Sequence, residues 1–228
     1  MPREFANTKP NLEAALGYHI KNADLFRLAI THGSRSKSKS DYQRLEFLGD
    51  RVLSLVIADE LYHLHTDQAE GYLAARLSSL VRGQSCAAVG VQLALGDMIL
   101  VGHSEKQKGV QHGVTLVGDV VEALIGAIYL DGGIDEARKF ILREWGALLN
   151  ASPLSLKDPK TFVQEWALGQ ALALPAYVVT GREGLEHAPI FTVSLKVGVH
   201  DEAVGVGPSK QQAEMAAAQN FIAREGLR

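Results

Sequence analysis

The sequence predicts two domains: an all-α domain over residues 1–150 and an α+β domain of order α-β-β-β-α over residues 158–228, joined by a linker at 151–157. Three observations predict this. Gln43–Leu64 and Leu116–Leu130 are apolar nearly all round and free of proline, as buried helices are. Phe191–Val199 alternates strictly, with Phe191, Val193, Leu195, Val197 and Val199 on one face and Thr192, Ser194, Lys196 and Gly198 on the other. That is the pattern of a half-buried antiparallel strand. Between these regions ASPLSLK is short, polar and contains a proline, as linkers do.

Composition bounds the rest. A chain of 228 residues holds ample core for two modest domains. Hydrophobic content of 46% and charged content of 21% are those of an ordinary soluble chain. The single cysteine, Cys86, permits no intramolecular disulfide and fits a reducing compartment. No run approaches the roughly 18 apolar residues of a membrane span, and the start lacks the apolar core of a secretory signal. A cytoplasmic location with no membrane partner is expected. The net charge of -3 gives no electrostatic hint of nucleic acid.

In chain order, Leu12–Tyr18 and Asp24–Thr31 read as short helices, with Asn11 and either Asn22 or Asp24 as caps. Residues 31–42 form a polar loop carrying Arg35, Lys37 and Lys39, a solvated loop that could also meet a phosphate backbone. Ser40 or Asp41 can cap the helix Gln43–Leu64. Glu70–Val81 is amphipathic and helical. Gln84–Leu95 is a further helix, ended by Gly96-Asp97. Gly102–Gly113 has three glycines and no apolar period, so it reads as a loop. Gly132-Gly133 closes the helix Leu116–Leu130, and Ile134–Asn150 is amphipathic. In the second domain Thr161–Leu172 is helical, and Tyr177–Arg182, Phe191–Val199 and Ala203–Val206 are strands. Ser209 opens the last helix with Gln212 completing a capping box, and Ala213, Ala216, Ala217 and Phe221 form its buried stripe.

The chemistry lies in the two apolar helices. Glu46 and Asp50 stand at i and i+4, and Asp119 and Glu122 at i and i+3, so each pair shares one face. Like charges in a buried helix repel and cost desolvation energy, so they need compensation. If the helices pack together, four oxygen ligands converge. Hard oxygens without histidine or cysteine favour magnesium, with manganese as a substitute. Buried salt bridges are the competing explanation, but Arg44 and Arg51 flank the first pair rather than face it. A di-iron centre would want Glu-x-x-His, whereas Glu122 is followed at i+3 by Ile125 and Glu46 by Gly49.

RLEFLGDRVLSLVIADELY (44–62) resembles the defining motif of the ribonuclease III family, and GDVVEALIGAIYLDGG (118–133) is similar to that family's second acidic helix. DPKTFVQEW, GLEHAPIF and GPSKQQAEMAAA resemble the three contact regions of a double-stranded-RNA-binding domain. The resemblance implies an endonuclease domain at 1–150. It implies Glu46, Asp50, Asp119 and Glu122 as the metal cluster, with Asp50 and Glu122 most directly catalytic and Glu46, Asp119 and Glu122 as direct ligands. Two ions about 3.5–4 Å apart would clamp the attacking and leaving oxygens of a phosphodiester. It also implies a homodimer acting on double-stranded RNA rather than DNA, 5′-phosphate and 3′-hydroxyl ends with short 3′ overhangs, and roles in ribosomal RNA precursor processing and in mRNA maturation or decay. Glu70 matches a further acidic position of the cleft. Three departures stand out. The family usually has glutamate where this chain has Gln43, a basic residue where it has Gln111-His112, and two adjacent basic residues where it has Lys210-Gln211. Thr161, Gln164, Glu165, His187, Ser209 and Lys210 match RNA-contacting positions. Residues 158–228 hold six Lys/Arg against eight Asp/Glu, a weak electrostatic footprint. The alternatives are a non-catalytic double-stranded-RNA-binding protein with a relict nuclease fold, and an all-α metal-dependent hydrolase of small phosphates. The second leaves the α-β-β-β-α unit unexplained.

Overall fold

The computed structural model describes residues 3–35, 42–151, 158–185 and 188–227. The chain divides into two compact units, Met1–Asn150 and Ala151–Arg228. Among the described residues no helix is long and apolar enough to cross a membrane.

The first unit is helical: α1 (Arg3–Leu16), α2 (Ala23–Ala29), α3 (Gln43–Leu64), α4 (Glu70–Val81), α5 (Gly83–Gln92), α6 (His103–Gln107), α7 (Val114–Gly132) and α8 (Ile134–Asn150). Its centre is the pair α3 and α7. Eleven residues of α7 are buried, among them Val120, Val121, Leu124, Ile125 and Ile128, so this helix is core on nearly every side. α5 lies on α7 with the backbone of Gly83 against Gly118. α8 joins α3 through the Arg138–Asp59 ion pair at 2.7 Å, and joins the end of α4 through Trp145 Nε1, which donates to the Leu80 carbonyl at 2.8 Å. At the far end of α7, Asp131 accepts from Tyr18 Oη and from the backbone N–H groups of Lys21 and Asn22.

Several boundaries differ from the sequence reading, each for a physical reason. α1 begins at Arg3 and runs through Pro10, so Asn11 is mid-helix and caps nothing. A mid-helix proline costs about 3 kcal/mol, but Phe5 is buried on the early turns, and burying a phenylalanine is worth about 1.5–3 kcal/mol. Asn22 does cap α2, its side chain accepting from Asp24 N at 3.1 Å. That helix stops short of Thr31, which pairs instead with Leu100. Tyr42 is the N-cap residue of α3 and makes no side-chain cap bond; the proposed caps Ser40 and Asp41, with Lys37 and Lys39, lie outside the described residues. α5 ends at Gln92, where the chain leaves through Ala94 in the left-handed region (φ +52) into a 3-10 turn at Leu95–Asp97 that buries Leu95. The glycine-rich segment before α7 is not a bare loop: it holds α6 and a 3-10 turn at Val110–His112, too short and polar to show a period. α3 is also less buried than its apolarity suggested. Phe47 is 68% and Leu55 61% exposed.

The second unit comprises α9 (Pro159–Gly169), β1 (Ala176–Leu185), β2 (Ala188–Lys196), β3 (Ala203–Gly207) and α10 (Lys210–Arg224). The strands form one antiparallel sheet of order β1-β2-β3, with a bulge between Val179 and Gly181. Asp158 caps α9, accepting from Lys160 N and Thr161 N, and Pro159 sits in the first turn, where its missing N–H costs nothing. Phe162, Val163 and Ala167 of α9, Val193 and Leu195 of β2, and Ala213, Ala217, Ala218 and Phe221 of α10 close one core. Ala216 is only half-buried; Ala218, three residues before Phe221, takes its place in the stripe. β2 ends at Lys196 and the chain turns through Gly198 (φ +51), so Val199 leaves the inner face and is 92% exposed.

Candidate active site

The site grows from the crossing of α3 and α7. Glu46 and Asp50 lie one turn apart on α3, and Asp119 and Glu122 lie one turn apart on α7; all four are half-buried. Between them the two backbones touch, because α3 has Gly49 and α7 has Gly126 at the crossing. Two rows of carboxylates are thereby held at the closest part of a helix–helix interface.

Electrostatics show that the four share a neighbourhood. Burial pushes the Glu122 carboxyl up to about 7; a hydrogen bond from Cys86 opposes this, and the charges of Asp50, Glu46 and Asp119 add to it. Burial also raises Asp119, against a hydrogen bond from Tyr42. Tyr42 Oη donates to Asp119 Oδ2 at 3.3 Å, and Cys86 Sγ lies 3.5 Å from Glu122 Oε1. Burial raises the Cys86 thiol strongly, so it holds its proton beside the carboxylate. Asp50 departs from expectation: Arg51 does not merely flank it but reaches Asp50 Oδ2 with Nη1 at 2.7 Å. The pair is on the exposed side, where such contacts are worth little.

The donors are all hard carboxylate oxygens, which suits magnesium or manganese. Glu122 is held toward neutrality by burial and by like charges, a situation that a cation relieves. The residues therefore fit a divalent ion. Among the described residues no three His, Cys, Asp or Glu side chains stand together as a group able to hold a metal ion. Bare carboxylates repel, so drawing them into one shell requires side-chain rotation around the fixed backbones. Gln43 and Glu70 are both exposed, in the first turns of α3 and α4, and Glu70 is not among the charges that shift Glu122.

Tyr42 and Cys86 escaped the sequence reading. A signal for Tyr42 was present: Tyr42, Glu46 and Asp50 step by four residues along one stripe. Nothing local marks Cys86, which reads as one more small apolar position of α5.

A model of Ribonuclease-III-like proteins matches residues 22–147, and a model of the double-stranded RNA binding motif matches residues 159–224. The curated Ribonuclease 3 of Cereibacter sphaeroides is 42% identical over 93% of this chain and 93% of its own length. The chain belongs to the ribonuclease III family. Ribonuclease 3 of Dinoroseobacter shibae is 43% identical over 92% of each chain. A solved ribonuclease III nuclease domain from Campylobacter jejuni, described for flexibility in a region involved in its dimer formation, is 39% identical with a TM-score of 0.57. It aligns to 59% of this chain and 93% of that one.

The helical unit of this ribonuclease III family chain is therefore its nuclease domain, and the α-β-β-β-α unit its double-stranded RNA binding motif. In that motif Thr161, Gln164 and Glu165 lie exposed at i, i+3 and i+4 along α9. Ser209 caps α10, its Oγ accepting from Gln212 N at 3.2 Å, and Lys210 is exposed in the first turn. His187 lies outside the described residues. The structure also accounts for some of the scarce basic side chains. Lys160 pairs with Glu214, and Arg224 donates to the backbone carbonyls of Asp201 and Glu202. These two cations are thus engaged within the fold.

Proposed function

We propose that this chain is a magnesium-dependent endoribonuclease that hydrolyses phosphodiester bonds in double-stranded RNA. The observation that carries the reading is Glu122, raised to about 7 amid Asp50, Glu46 and Asp119 at the α3–α7 crossing, in a chain that also holds a double-stranded RNA binding motif. Glu46, Asp50, Asp119 and Glu122 would hold the ions, with manganese as a substitute. When bound, two such ions polarise the attacking water and neutralise charge on the leaving 3′ oxygen. The protein's share is placement. The α3–α7 crossing fixes the two carboxylate rows. Asp50 and Glu122 would be the acids most directly tied to catalysis, and hydrolysis would leave a 5′ phosphate and a 3′ hydroxyl.

One acidic cluster cuts one strand. Cutting both strands needs two, and a two-fold homodimer supplies them, giving short 3′ overhangs. Exposed Phe47 and Leu55 on α3, with Arg51 stacked over the Phe47 ring at 5.7 Å, offer the apolar surface for that dimer. The expected setting is the cytoplasm, and the expected tasks are ribosomal RNA precursor processing and mRNA maturation or decay. Two features favour the alternative of a non-catalytic RNA binder: Gln43 where the family usually has an acid, and the thin basic character of residues 158–228.

Cleavage of a long labelled RNA duplex, with magnesium and with chelator, beside a Glu122→Ala variant, decides between them. Magnesium-dependent fragments that vanish in the variant, while duplex binding persists, support the enzyme. Binding without cleavage under both magnesium and manganese makes the chain an RNA binder.

A further inference from the structure

Two buried side chains that are not acids each touch one carboxylate of α7. Tyr42 is 7% exposed, and its hydroxyl donates to Asp119 at 3.3 Å. Its backbone belongs to the other helix: the Tyr42 carbonyl accepts from Leu45 N and from Glu46 N, each at 2.9 Å. One residue thus ties the turn that carries Glu46 to the carboxylate of Asp119. The ring is held in place by stacking on His32, centroid to centroid 6.2 Å at 26°. Cys86 reaches the other α7 acid from α5. It sits in the first turn of α5, and α5 is drawn tightly to α7 where Gly83 meets Gly118 and Gly90 meets Val117. That approach places Sγ 3.5 Å from Glu122 Oε1 and 3.8 Å from the Val81 carbonyl. A thiol has one proton to give, and the carboxylate is the nearer and stronger acceptor.

We propose that Tyr42 and Cys86 are positioning residues: each donates one hydrogen bond that fixes the rotamer of an α7 carboxylate, Asp119 and Glu122 respectively, for cation binding. This rests on the metal-dependent reading above. The physical argument is preorganisation. A free glutamate or aspartate spreads over several rotamers, and gathering four like-charged ones around an ion costs side-chain entropy as well as repulsion. A donor from a neighbouring element removes part of that cost before the ion arrives, and leaves the remaining carboxylate lone pairs available as ligands. The donors come from three-dimensional neighbours, the start of α3 and the start of α5, so the α7 pair is braced at both members.

The test uses the full chain with three variants: Tyr42→Phe, Cys86→Ala and Cys86→Ser. Manganese binding is read by electron paramagnetic resonance of the free ion, without RNA. Magnesium dependence of kcat and the KM for a duplex are read in steady state, and melting midpoints are taken in chelator. Tyr42→Phe and Cys86→Ala are expected to weaken manganese binding about tenfold. The magnesium concentration for half-maximal kcat should rise by the same factor while KM for the duplex stays put. Cys86→Ser restores a donor and should recover most of the loss. Unchanged manganese affinity in Tyr42→Phe and Cys86→Ala overturns the proposal. So does an equal loss in Cys86→Ser and Cys86→Ala, or a loss that merely follows a lowered melting midpoint, because packing then explains it. The metal reading itself fails separately, and takes the proposal with it, if the wild-type chain cleaves the duplex in chelator and binds no manganese.

Discussion

Gly49 of α3 and Glu122 of α7 meet backbone to backbone: a Cβ added to Gly49 would lie 1.7 Å from the Glu122 carbonyl oxygen. Gly126 reciprocates, its absent Cβ falling 2.4 Å from the Leu45 carbonyl. Gly49 directly precedes Asp50 and Gly126 lies one helical turn after Glu122, so the same contact that lets the helices cross sets how far apart the two carboxylate rows stand. The obstruction is backbone, which cannot swing aside. Gly49→Ala is therefore expected to destabilise the nuclease domain by about 3 kcal/mol or more, despite alanine's better helix propensity. Gly146→Ala in α8 is the control: nothing stands near its Cβ, and it should be neutral or stabilise by up to about 1 kcal/mol. Chemical denaturation of the two variants side by side checks the contrast.

Phe47 and Leu55 are large, apolar and exposed on the helix that carries Glu46 and Asp50. If they bury in a two-fold contact, a charge at either site opposes association without touching the monomer core. Phe47→Asp and Leu55→Asp are expected to yield folded monomers by light scattering, with unchanged helical content and reduced double-strand cleavage. Variants that remain dimeric would remove this face from the assembly.

Glu122 predicts a pH dependence with a definite sign. Its folded carboxyl is raised from 4.5 to about 7, so the native state holds a proton that the unfolded state has lost. Between those values stability falls as pH rises, because ionising Glu122 in place is costly. Glu122 is half-buried, and with solvent screening the loss is about 1–2 kcal/mol. In chelator the melting midpoint should drop from pH 5 to pH 8, and Glu122→Gln should flatten that trend. Magnesium should stabilise the chain more at pH 8, where the carboxylates are charged, than at pH 5. Equal magnesium stabilisation at both values would contradict the assignment.

Gln43 lies in the first turn of α3, three residues before Glu46, and is exposed. An amide can hydrogen-bond a water of the metal shell but brings no charge. Gln43→Glu is expected to lower the magnesium concentration needed for half-maximal cleavage severalfold. An unchanged magnesium requirement means the position has no part in the metal shell.

How far the sequence revealed this depended on the range of the interaction. α3 and α8 were legible to the residue because periodicity is local: apolar steps and the polar residues around them lie within one helix. α1 was not, because Pro10 and Asn11 imitate a helix start and only tertiary burial of Phe5 overrides them. The apolarity of α3 signalled burial but not by what, and Phe47 and Leu55 sit outside their own chain's core. The acid pairs were readable since i, i+3 and i, i+4 spacing fixes a face. Cys86 is 36 residues from Glu122 and Tyr42 is 77 from Asp119. The four-residue step puts Tyr42 on the stripe of Glu46 and Asp50 but does not reveal its partner on α7, and nothing near Cys86 marks its contact at all.

The RNA binding motif offers the last prediction. α10 begins with Ser209 as cap and Lys210 exposed in the first turn, and free backbone N–H groups at a helix start favour phosphate. The next residue, Gln211, is also exposed and uncharged. Lys160 is engaged by Glu214 in the early turns of α10, and Arg224 lies at the helix's far end, so neither lends its charge to this helix start. Adding one there should matter more than it would in a basic domain. Gln211→Lys is expected to tighten duplex binding severalfold at low salt and to steepen the fall of log affinity with log salt by about 0.7–0.9, one more phosphate neutralised. Because A-form RNA in general is recognised mostly by shape and backbone, the gain should be the same for duplexes of unrelated sequence. Binding measured across a salt series on two unrelated duplexes checks all three. Tighter binding with an unchanged slope would mean that the added ammonium works by something other than a phosphate contact, and that α10 does not begin at the RNA backbone.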